Sequence, residues 1–322
     1  LIYSFSNQYI ISVKAKPGDQ FLSFHGDNVL VREGIDKLWY PSFSDFTQEY
    51  PHLKDKAQYL FAVDNVSYYL TDEQGLDSVE GWAYVSTKRF RTELRHWRSL
   101  VGAVGWQLNR WYNNHRFCSR CGKETLHSEK ERMLYCDPCG FQTYPTISPC
   151  VIVAVHDHDR LLLTKYKGRP HHRYALIAGF SEIGESLEQT VCREVQEEVG
   201  LKVKSLYYYK SQPWPFTDTI LAGFYAELDG EDTITLQEDE LSLGVWVNRK
   251  DIPPEVQKIS LTSEMIEAFR IVTFTYQLSN FNQIICRNNR NFGKQLGTDF
   301  TVARSTGLLD IFMTIVFALP GR

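Results

Sequence analysis

The stretch from Gly179 to Leu201 constrains the fold of this chain more than any other, because it combines a helical apolar period with a dense set of glutamates. Apolar side chains recur every four residues, at Leu187, Val191, Val195 and Val199. This spacing predicts a helix with one face in a hydrophobic core. The strand-like sequence RYALIAGF runs directly into the stretch, so we expect a strand and a glycine loop to lead into the helix.

The glutamates of this helix are predicted to crowd its core side. Glu194, Glu197 and Glu198 stand at positions i, i+3 and i+4 and therefore share one side of a helix. With about 100° of rotation per residue, Glu194 and Glu198 lie beside or within the apolar stripe, whereas Arg193 lies away from it. A buried charge without a partner is very costly, and Mg²⁺ prefers oxygen ligands and accompanies phosphate substrates. The pattern predicts a site for divalent cations; the alternative is a surface helix with an acidic end.

The composition bounds the class of protein. The 322 residues suffice for two or three domains, and the net charge of −4 argues against a broad electrostatic binder of nucleic acid. Seven cysteines, four of them in CxxC pairs, do not indicate a disulfide framework in a chain this long. The first residues lack the pattern of a signal peptide, and the longest apolar run, from Leu308 to Leu319, is too short to cross a bilayer. We expect a cytoplasmic protein in a reducing compartment, with no membrane partner.

Residues 1–112 are expected to form a separate α/β domain. The strand-like segments QYIISVKA and SYYLTD are divided by Gly, Pro and Asp turns. From Arg89 to Trp111, apolar residues at helical spacing predict a helix. This region contains no evident catalytic group of residues, which favours a scaffold or dimerisation role.

Two CxxC pairs follow and predict a metal site. Cys118 and Cys121 form the first pair, Cys136 and Cys139 the second, and each pair precedes a glycine that suits a tight turn around a metal. Four thiolates at this spacing indicate a tetrahedral Cys₄ zinc ribbon in residues 113–143. Because no ligand position is left open for water, we expect a structural zinc. The alternatives are a redox pair, which would not need its twin, and a nucleic-acid-binding ribbon, which would usually be more basic.

Residues 144–270 predict an α/β sandwich with a mixed sheet flanked by helices. A hairpin is expected to turn at DHDR, and the segments VKSLYYYKSQPWPF, TILAGFYAEL, DTITL and VWVN read as strands after the acidic helix. SLTSEMIEAFR predicts a final helix. Residues 271–322 show no clear period and are expected to be an extension of unknown role.

Four features in order give the chain a family resemblance. They are the N-terminal domain, the four-cysteine ribbon, a spacing that begins at Gly179 (Gly-x₅-Glu-x₇-Arg-Glu-Val-Gln-Glu-Glu-Val-Gly-Leu), and the sequence SQPWPF from Ser211 to Phe216. With these the chain resembles the NADH pyrophosphatase branch of the Nudix hydrolases over residues 1 to about 270. The resemblance implies a Nudix α/β/α sandwich, preceded by the ribbon and by a smaller, Nudix-like N-terminal domain.

The signature SQPWPF also has a physical interpretation. Its two prolines predict a stiff loop that presents Gln212 and Trp214, which can hydrogen-bond and pack against a nucleotide. The alternative is a rigid aromatic-proline corner that packs on the core. The family usually continues with Pro-x-Ser, whereas this chain has Thr217, Asp218 and Thr219.

The resemblance implies the roles of individual residues. Metal ligands would be Glu194, Glu197, Glu198 and the carbonyl of Ala178, with Glu240 as a further ligand or a base. The remaining catalytic positions are Glu185 and Arg193, where Arg193 pairs with a box carboxylate and fixes the loop. The implied substrate contacts are Glu131, Tyr144, Phe180, Gln212, Pro213, Trp214, Pro215, Phe216, Thr217, Asp218, Thr219, Thr262 and Arg91, with Arg89 as the alternative to Arg91.

The activity implied by the resemblance is metal-dependent hydrolysis of the pyrophosphate of NADH or NAD⁺ to nicotinamide mononucleotide and AMP. Two or three Mg²⁺ or Mn²⁺ ions, one structural zinc, removal of NAD caps from RNA 5′ ends, and a homodimer are implied with it. One rival is a Nudix enzyme for ADP-ribose or a diadenosine polyphosphate, which SQPWPF argues against. Another is a nucleotide-sensing regulator without catalysis, although such regulators often lose box glutamates that are all present here.

Overall fold

The computed structural model describes residues 3–11, 13–34, 37–91, 96–168, 173–254 and 260–271. The predicted C-terminal extension therefore lies outside the described residues, apart from Ile271. Within the described ranges, no helix is long and apolar enough to cross a bilayer. The predicted domain boundaries stay a prediction. The described residues form three sheets, which are presented below from the N-terminal one to the C-terminal one.

A seven-stranded sheet contains the N-terminal strands, in the order β1-β5-β6-β2-β3-β4 with β7 beside β3. Alternate residues of its strands face two separate apolar cores, one covered by the long helix α3 and the other by the short helices α1 and α2. The elements are β1 Phe5–Ser6, β2 Gln20–His25, β3 Asn28–Gly34, β4 Lys37–Trp39, α1 Phe43–Phe46, α2 Leu53–Lys56, β5 Gln58–Val63, β6 Val66–Thr71, β7 Ala83–Ser86 and α3 His96–Asn114.

Two predictions for this region need correction. The segment QYIISVKA is not a strand in its described residues; instead, the Tyr9 hydroxyl donates a hydrogen bond to the Ser128 carbonyl in the ribbon at 2.7 Å. The predicted helix starts later than Arg89, because residues 87–91 form a 3₁₀ turn and α3 begins at His96. The strand predicted at SYYLTD is confirmed as β6.

The ribbon consists of three short antiparallel strands in the order β10-β9-β8. These are β8 Leu126–His127, β9 Leu134–Tyr135 and β10 Gln142–Thr143.

The third sheet has six strands in the order β14-β15-β11-β12-β16, with β13 paired to β11. It is mixed, because β11 and β15 run parallel while the other pairs are antiparallel. One face packs on α4 and the other on α5, so the predicted α/β/α sandwich is confirmed. The elements are β11 Ser148–Asp157, β12 Arg160–Tyr166, β13 Ile177–Phe180, α4 Leu187–Val199, β14 Val203–Trp214, β15 Thr219–Leu228, β16 Leu241–Asn248 and α5 Leu261–Ile271.

The strand predicted at DTITL is wrong for a specific reason. The last carbonyls of a helix lack partners within the helix, and this segment supplies them for α4. The Thr235 N–H donates to the Val199 carbonyl at 3.0 Å, and the Gln237 N–H donates to the Glu198 carbonyl at 2.9 Å. The apolar side chains of Ile234 and Leu236 pack on the core beneath. The alternation of apolar and polar residues in this segment therefore arises because the segment lies over the core, and the segment is not a strand of the sheet.

The stiff loop predicted at SQPWPF is also different in detail. Gln212, Pro213 and Trp214 belong to the end of β14 and pair with β15, and only Pro215–Thr217 turn, as one 3₁₀ turn. The first part of the signature is therefore fixed by pairing within the sheet, and its last two residues belong to the turn.

Candidate active site

The acidic helix α4 is closed at both ends by local signals in the sequence. Ser186 is the N-cap: its hydroxyl accepts from the Gln189 N–H at 3.3 Å, and the Gln189 side chain accepts from the Ser186 N–H at 2.8 Å. This reciprocal capping box satisfies amides that the helix cannot pair internally. Gly200 ends the helix in the left-handed region at φ +70°, which glycine adopts without strain. Along the helix, Val191, Val195 and Val199 are fully buried, as the period predicts.

Arg193 joins the start of the box to its middle. Its guanidinium binds Glu185 with two hydrogen bonds of 2.7 and 3.0 Å, and it donates to Glu194 at 2.7 Å and to Glu197 at 2.9 Å. A further bond of 2.8 Å reaches the Phe180 carbonyl at the end of β13. A planar guanidinium suits such forked contacts. The predicted pairing of Arg193 with a box carboxylate is present, and it fixes the chain between strand and helix.

Glu185 is the carboxylate that Arg193 holds most firmly. The bonds from Arg193, together with the Glu182 N–H at 3.0 Å, lower the pKa of the Glu185 carboxyl to about 2. The buried Thr190 hydroxyl also lies 3.0 Å from Glu185 Oε2. Thr190 was not among the predicted residues. Its position one turn into the helix, on the side that faces the loop, could have indicated this contact with Glu185. Glu185 is a permanently charged anchor, unsuited to proton transfer near neutral pH.

Glu198 is the opposite case, a carboxylate buried without a partner. It is 1% exposed, and neither of its oxygens has a hydrogen-bond partner among the described residues. Burial, then the negative charges of Glu194 and Glu240, raise the pKa of Glu198 to about 8. The Ala178 N–H opposes this rise but lies outside hydrogen-bonding geometry. Unpaired buried carboxylate oxygens of this kind fit a hard divalent cation.

Glu194 lies against the backbone of β13. A Cβ atom added to Gly179 would lie 1.9 Å from the Glu194 carboxyl carbon and 2.0 Å from Oε1. The box glycine is therefore needed for close approach of a carboxylate to the strand, next to the Ala178 carbonyl. Burial is the main cause that raises the pKa of Glu194.

Substitution of Gly179 by alanine should therefore displace Glu194. We expect kcat for the hydrolysis that the family resemblance implies to fall about a hundredfold, as a displacement of about 1 Å in an active site can cost, while the protein remains folded. The control is Gly18→Ala, where the added Cβ meets nothing within 4 Å and φ is not positive. Steady-state kinetics and circular dichroism on both variants test this; an unimpaired Gly179→Ala enzyme would contradict the role of the contact.

Glu240 reaches the box from a distant part of the chain. The segment that caps the carboxyl end of α4 ends at Gln237, and a turn with a Glu240 N–H to Gln237 carbonyl bond of 3.1 Å follows. This places the Glu240 carboxylate near enough for its charge to raise the pKa of both Glu194 and Glu198. Glu240 itself is exposed, and Glu197 is about half exposed. The charges of Glu194, Glu197 and Glu240 thus all act on the buried Glu198, but among the described residues only the ribbon cysteines bring three or more ligand atoms within 4.8 Å of one another.

The signature residues divide between two tasks. Trp214 packs edge-on against Phe216, with ring centroids 5.1 Å apart, and the Arg91 guanidinium lies 4.8 Å from the Phe216 ring. Arg89, the alternative, instead pairs with Glu33 at 3.0 Å. Gln212 is the unexpected member, because its side-chain oxygen accepts from the Leu261 N–H at the start of α5 at 2.7 Å.

The remaining predicted substrate contacts lie near the ribbon, on β13, beside the signature turn and at the start of α5. The Tyr144 hydroxyl donates to Glu131 at 3.0 Å, so these two are brought together. Tyr144 and Phe180 are each about half exposed. Thr219 is buried, with its hydroxyl 2.8 Å from that of Thr217, and Thr262 occupies the first turn of α5.

Strand β11 brings the two halves of the site to one place. Its first residues pair with β13 on one side, Cys150 opposite Phe180, and with β15 on the other, Ser148 opposite Thr219. The box strand and the signature turn therefore flank the same end of one strand. The spacing of residues within each motif does not reveal that both motifs lie beside β11.

The four ribbon cysteines form a metal site of the predicted kind. Their sulfur atoms all lie within 4.8 Å of one another, with Cys118 Sγ 3.5 Å from Cys139 Sγ and Cys121 Sγ 3.4 Å from Cys136 Sγ. Both knuckles have the same backbone pattern: the glycine after each pair lies at positive φ and donates to the carbonyl of the first cysteine at 2.8 Å. Four converging thiolates without an open position fit a structural zinc.

An α/β/α sandwich whose acidic helix carries this box, preceded by a thiolate ribbon, defines a Nudix hydrolase. Residues 146–269 match the family model described as NUDIX domain, and residues 113–144 match the NADH pyrophosphatase zinc ribbon domain. The chain belongs to the NADH pyrophosphatase branch of the Nudix hydrolases, as its motifs predicted.

Two curated relatives and one solved structure illustrate the extent of the similarity. An NAD-capped RNA hydrolase NudC from Pseudomonas fluorescens (strain Pf0-1) is 35% identical over 207 residues, which are 64% of this chain and 75% of that protein. An NAD-capped RNA hydrolase NudC from Shigella flexneri is 42% identical over 149 residues, 46% of this chain and 58% of that protein. A NUDIX hydrolase structure from Nitrosomonas europaea is 21% identical with a TM-score of 0.40, covering 48% of this chain and 90% of that one.

Proposed function

We propose that this chain hydrolyses the pyrophosphate bond of NADH and NAD⁺ to nicotinamide mononucleotide and AMP, and removes NAD caps from the 5′ ends of RNA. The observation that carries the proposal is the junction at the start of β11. There, β13, against which Glu194 lies, pairs with one side of β11, and β15, whose Thr219 is paired with Trp214, pairs with the other side. A diphosphate bound at the carboxylates would have a nucleotide ring within reach of the signature.

The box residues have distinct tasks in this proposal. Glu194, Glu197, Glu198 and the Ala178 carbonyl would hold two or three Mg²⁺ or Mn²⁺ ions, with Glu240 completing the set or accepting a proton from water. When bound, such ions neutralise the diphosphate and lower the pKa of a water molecule. Oxygen donors suit both metals.

The chain's own residues would prepare the site for that chemistry. Arg193 holds Glu185 and the Phe180 carbonyl, which keeps the loop between strand and helix in position. The exposed ring of Phe180 and the Tyr144–Glu131 pair offer packing and hydrogen-bonding surfaces for a nucleotide. The implied contacts at Pro213, Pro215, Thr217, Thr219 and Thr262 remain part of the proposal.

Gln212 has a narrower role than direct recognition in this arrangement. Its side-chain oxygen accepts from the Leu261 N–H at the start of α5, so direct contact between that oxygen and the substrate would require Gln212 to release the helix. We therefore propose Trp214, stiffened by its two neighbouring prolines, as the main signature contact. We also propose a homodimer and a cytoplasmic location, which the family resemblance implies.

The proposed function is tested by product analysis with a panel of substrates. NADH, NAD⁺, ADP-ribose, a diadenosine polyphosphate and NAD-capped RNA would each be incubated with Mg²⁺ or with Mn²⁺. We expect AMP and nicotinamide mononucleotide from NADH and a 5′-monophosphate end from capped RNA. Preferred cleavage of ADP-ribose or of the diadenosine compound would instead support a Nudix enzyme of other specificity. Absence of turnover with every substrate would support a nucleotide-sensing protein.

A further inference from the structure

We propose that Arg110, on helix α3 of the N-terminal region, is a positioning residue that holds the signature turn through Asp218. The inference rests on the proposed function and deepens it, because it gives the N-terminal region a part in substrate binding. Arg110 belongs to no motif in the sequence. Its partner Asp218 occupies the variable position of the usual Pro-x-Ser continuation of the signature, so no motif marks that residue either.

The contacts between Arg110 and the turn are direct. Its Nη2 atom donates to the Pro215 carbonyl at 3.0 Å and to the Asp218 carboxylate at 2.5 Å. The guanidinium also lies 3.9 Å from the Trp106 ring, one turn earlier on α3, which restricts its orientation. The Arg110 side chain is 24% exposed and that of Asp218 35% exposed, so the pair is partly shielded from solvent. Charge-assisted bonds in such a setting are stronger than those of exposed pairs.

Asp218 is placed so that its position fixes the whole turn. It ends the 3₁₀ turn in the left-handed region at φ +55°, which Asp and Asn tolerate better than most residues. Its carbonyl accepts from the Ser148 N–H, the first residue of β11, at 2.7 Å. The backbone of Asp218 thus joins the turn to the central strand, while its side chain joins the same turn to α3.

A second contact from the N-terminal region acts on the same turn. Phe216 packs on the apolar core that includes Phe90 and Val101, and Arg91 lies over its ring. Since Pro213 and Pro215 restrict the backbone on either side of Trp214, the turn should move as a unit. Displacing Asp218 or Phe216 therefore displaces Trp214, the proposed nucleotide contact. Such a displacement weakens binding of substrate and transition state alike, which raises KM more than it lowers kcat.

The test uses the full chain with Asp218→Asn, Arg110→Gln and the double variant. Asparagine keeps the size and the left-handed preference of Asp218 and removes only its charge. We expect KM for NADH to rise about five- to tenfold with a smaller change in kcat. The double variant should be no worse than Arg110→Gln alone, because the two residues act through each other. The matched control is Glu124→Gln, which breaks the exposed Arg116–Glu124 pair of 3.3 Å and should leave KM unchanged.

Hydrogen exchange supplies a readout that does not depend on the reaction. Without substrate, amides of residues 214–219 should exchange faster in Asp218→Asn and in Arg110→Gln, although Arg110 is far away in sequence. If amide exchange in the turn is the same in the variants as in the wild type, the proposal is wrong. If exchange is faster but KM for NADH is unchanged, the pair only stabilises the turn, and the proposal is also wrong. If the wild-type chain hydrolyses no substrate, the proposed function fails, and exchange alone decides whether Arg110 holds the turn.

Discussion

Glu198→Gln should lower kcat/KM for NADH about a thousandfold or more, the largest loss expected from a single box residue. Glu198 is the buried member of the carboxylate group, with both oxygens unpaired among the described residues. The amide keeps the shape of the side chain but cannot offer two anionic oxygens. Initial rates with saturating Mg²⁺ test this, with Glu231→Gln as the control, since Glu231 is exposed and lies outside the box. A variant with nearly wild-type turnover would remove the catalytic interpretation of the helix.

The same substitution should stabilise the protein freed of catalytic divalent ions, increasingly so at higher pH. An unperturbed glutamate has a pKa of about 4.3, and burial raises the pKa of Glu198 to about 8. The folded state therefore binds the proton more tightly, so the wild type loses stability as pH rises from about 4.3 to about 8. The amide introduced by Glu198→Gln does not titrate. We expect the variant's advantage in unfolding free energy to grow across this window, on the order of several kcal/mol, and then to level off.

Denaturant unfolding at several pH values measures this difference, in samples whose ribbon zinc content is verified beforehand. A stability difference that is constant with pH would show that the Glu198 carboxyl is not held in its neutral form by burial. Added Mg²⁺ should reverse the order of stability, because a cation compensates the wild-type carboxylate and gains less from the amide.

Cys136→Ser should have the largest effect on folding. Cys136 is fully buried, and a structural Cys₄ zinc contributes on the order of 10 kcal/mol to the fold that it closes. We expect the variant to lose its single zinc and the ribbon's protection from protease. Hydrolysis should fall with it, because the ribbon carries Glu131 and precedes Tyr144, which are hydrogen-bonded to each other. Zinc content by mass spectrometry and limited proteolysis measure the outcome.

Cys150→Ala separates zinc loss from the loss of any buried thiol. Cys150 lies on β11, is 7% exposed and is outside the four-sulfur cluster, so this variant should keep its zinc and an intact ribbon. If Cys136→Ser also retained a full equivalent of zinc, the four thiolates would not be the ligands.

The sequence predicted the acidic helix well because its signals are local. The four-residue period of Val191, Val195 and Val199 fixes the buried face, and the position of Glu198 within that face follows by rotation. The ribbon was equally accessible, because four thiolates at a fixed spacing leave few alternatives. The resemblance added residues such as Tyr144 and Glu131, which no local pattern marks.

Features that depend on the path of the chain in space were not predictable in this way. The alternation of Ile234 and Leu236 fits a strand or a segment lying over the core equally well, and only the free carbonyls of α4 decide between them. The engagement of Gln212 with α5 depends on a helix about fifty residues later. Arg110 escaped notice because its partners lie more than one hundred residues away.

The segment that caps the carboxyl end of α4 limits where the chain between β15 and Glu240 can change in length. Gln237 is bonded to the helix, and Glu240 stands only three residues beyond it, so the reach of that carboxylate is set by a very short tether. Upstream of Thr235 the chain is an exposed connection that leaves β15. Insertions and deletions are therefore tolerable upstream of Thr235 and disruptive from Thr235 to Glu240, so the exposed connection can change in length without moving Glu240.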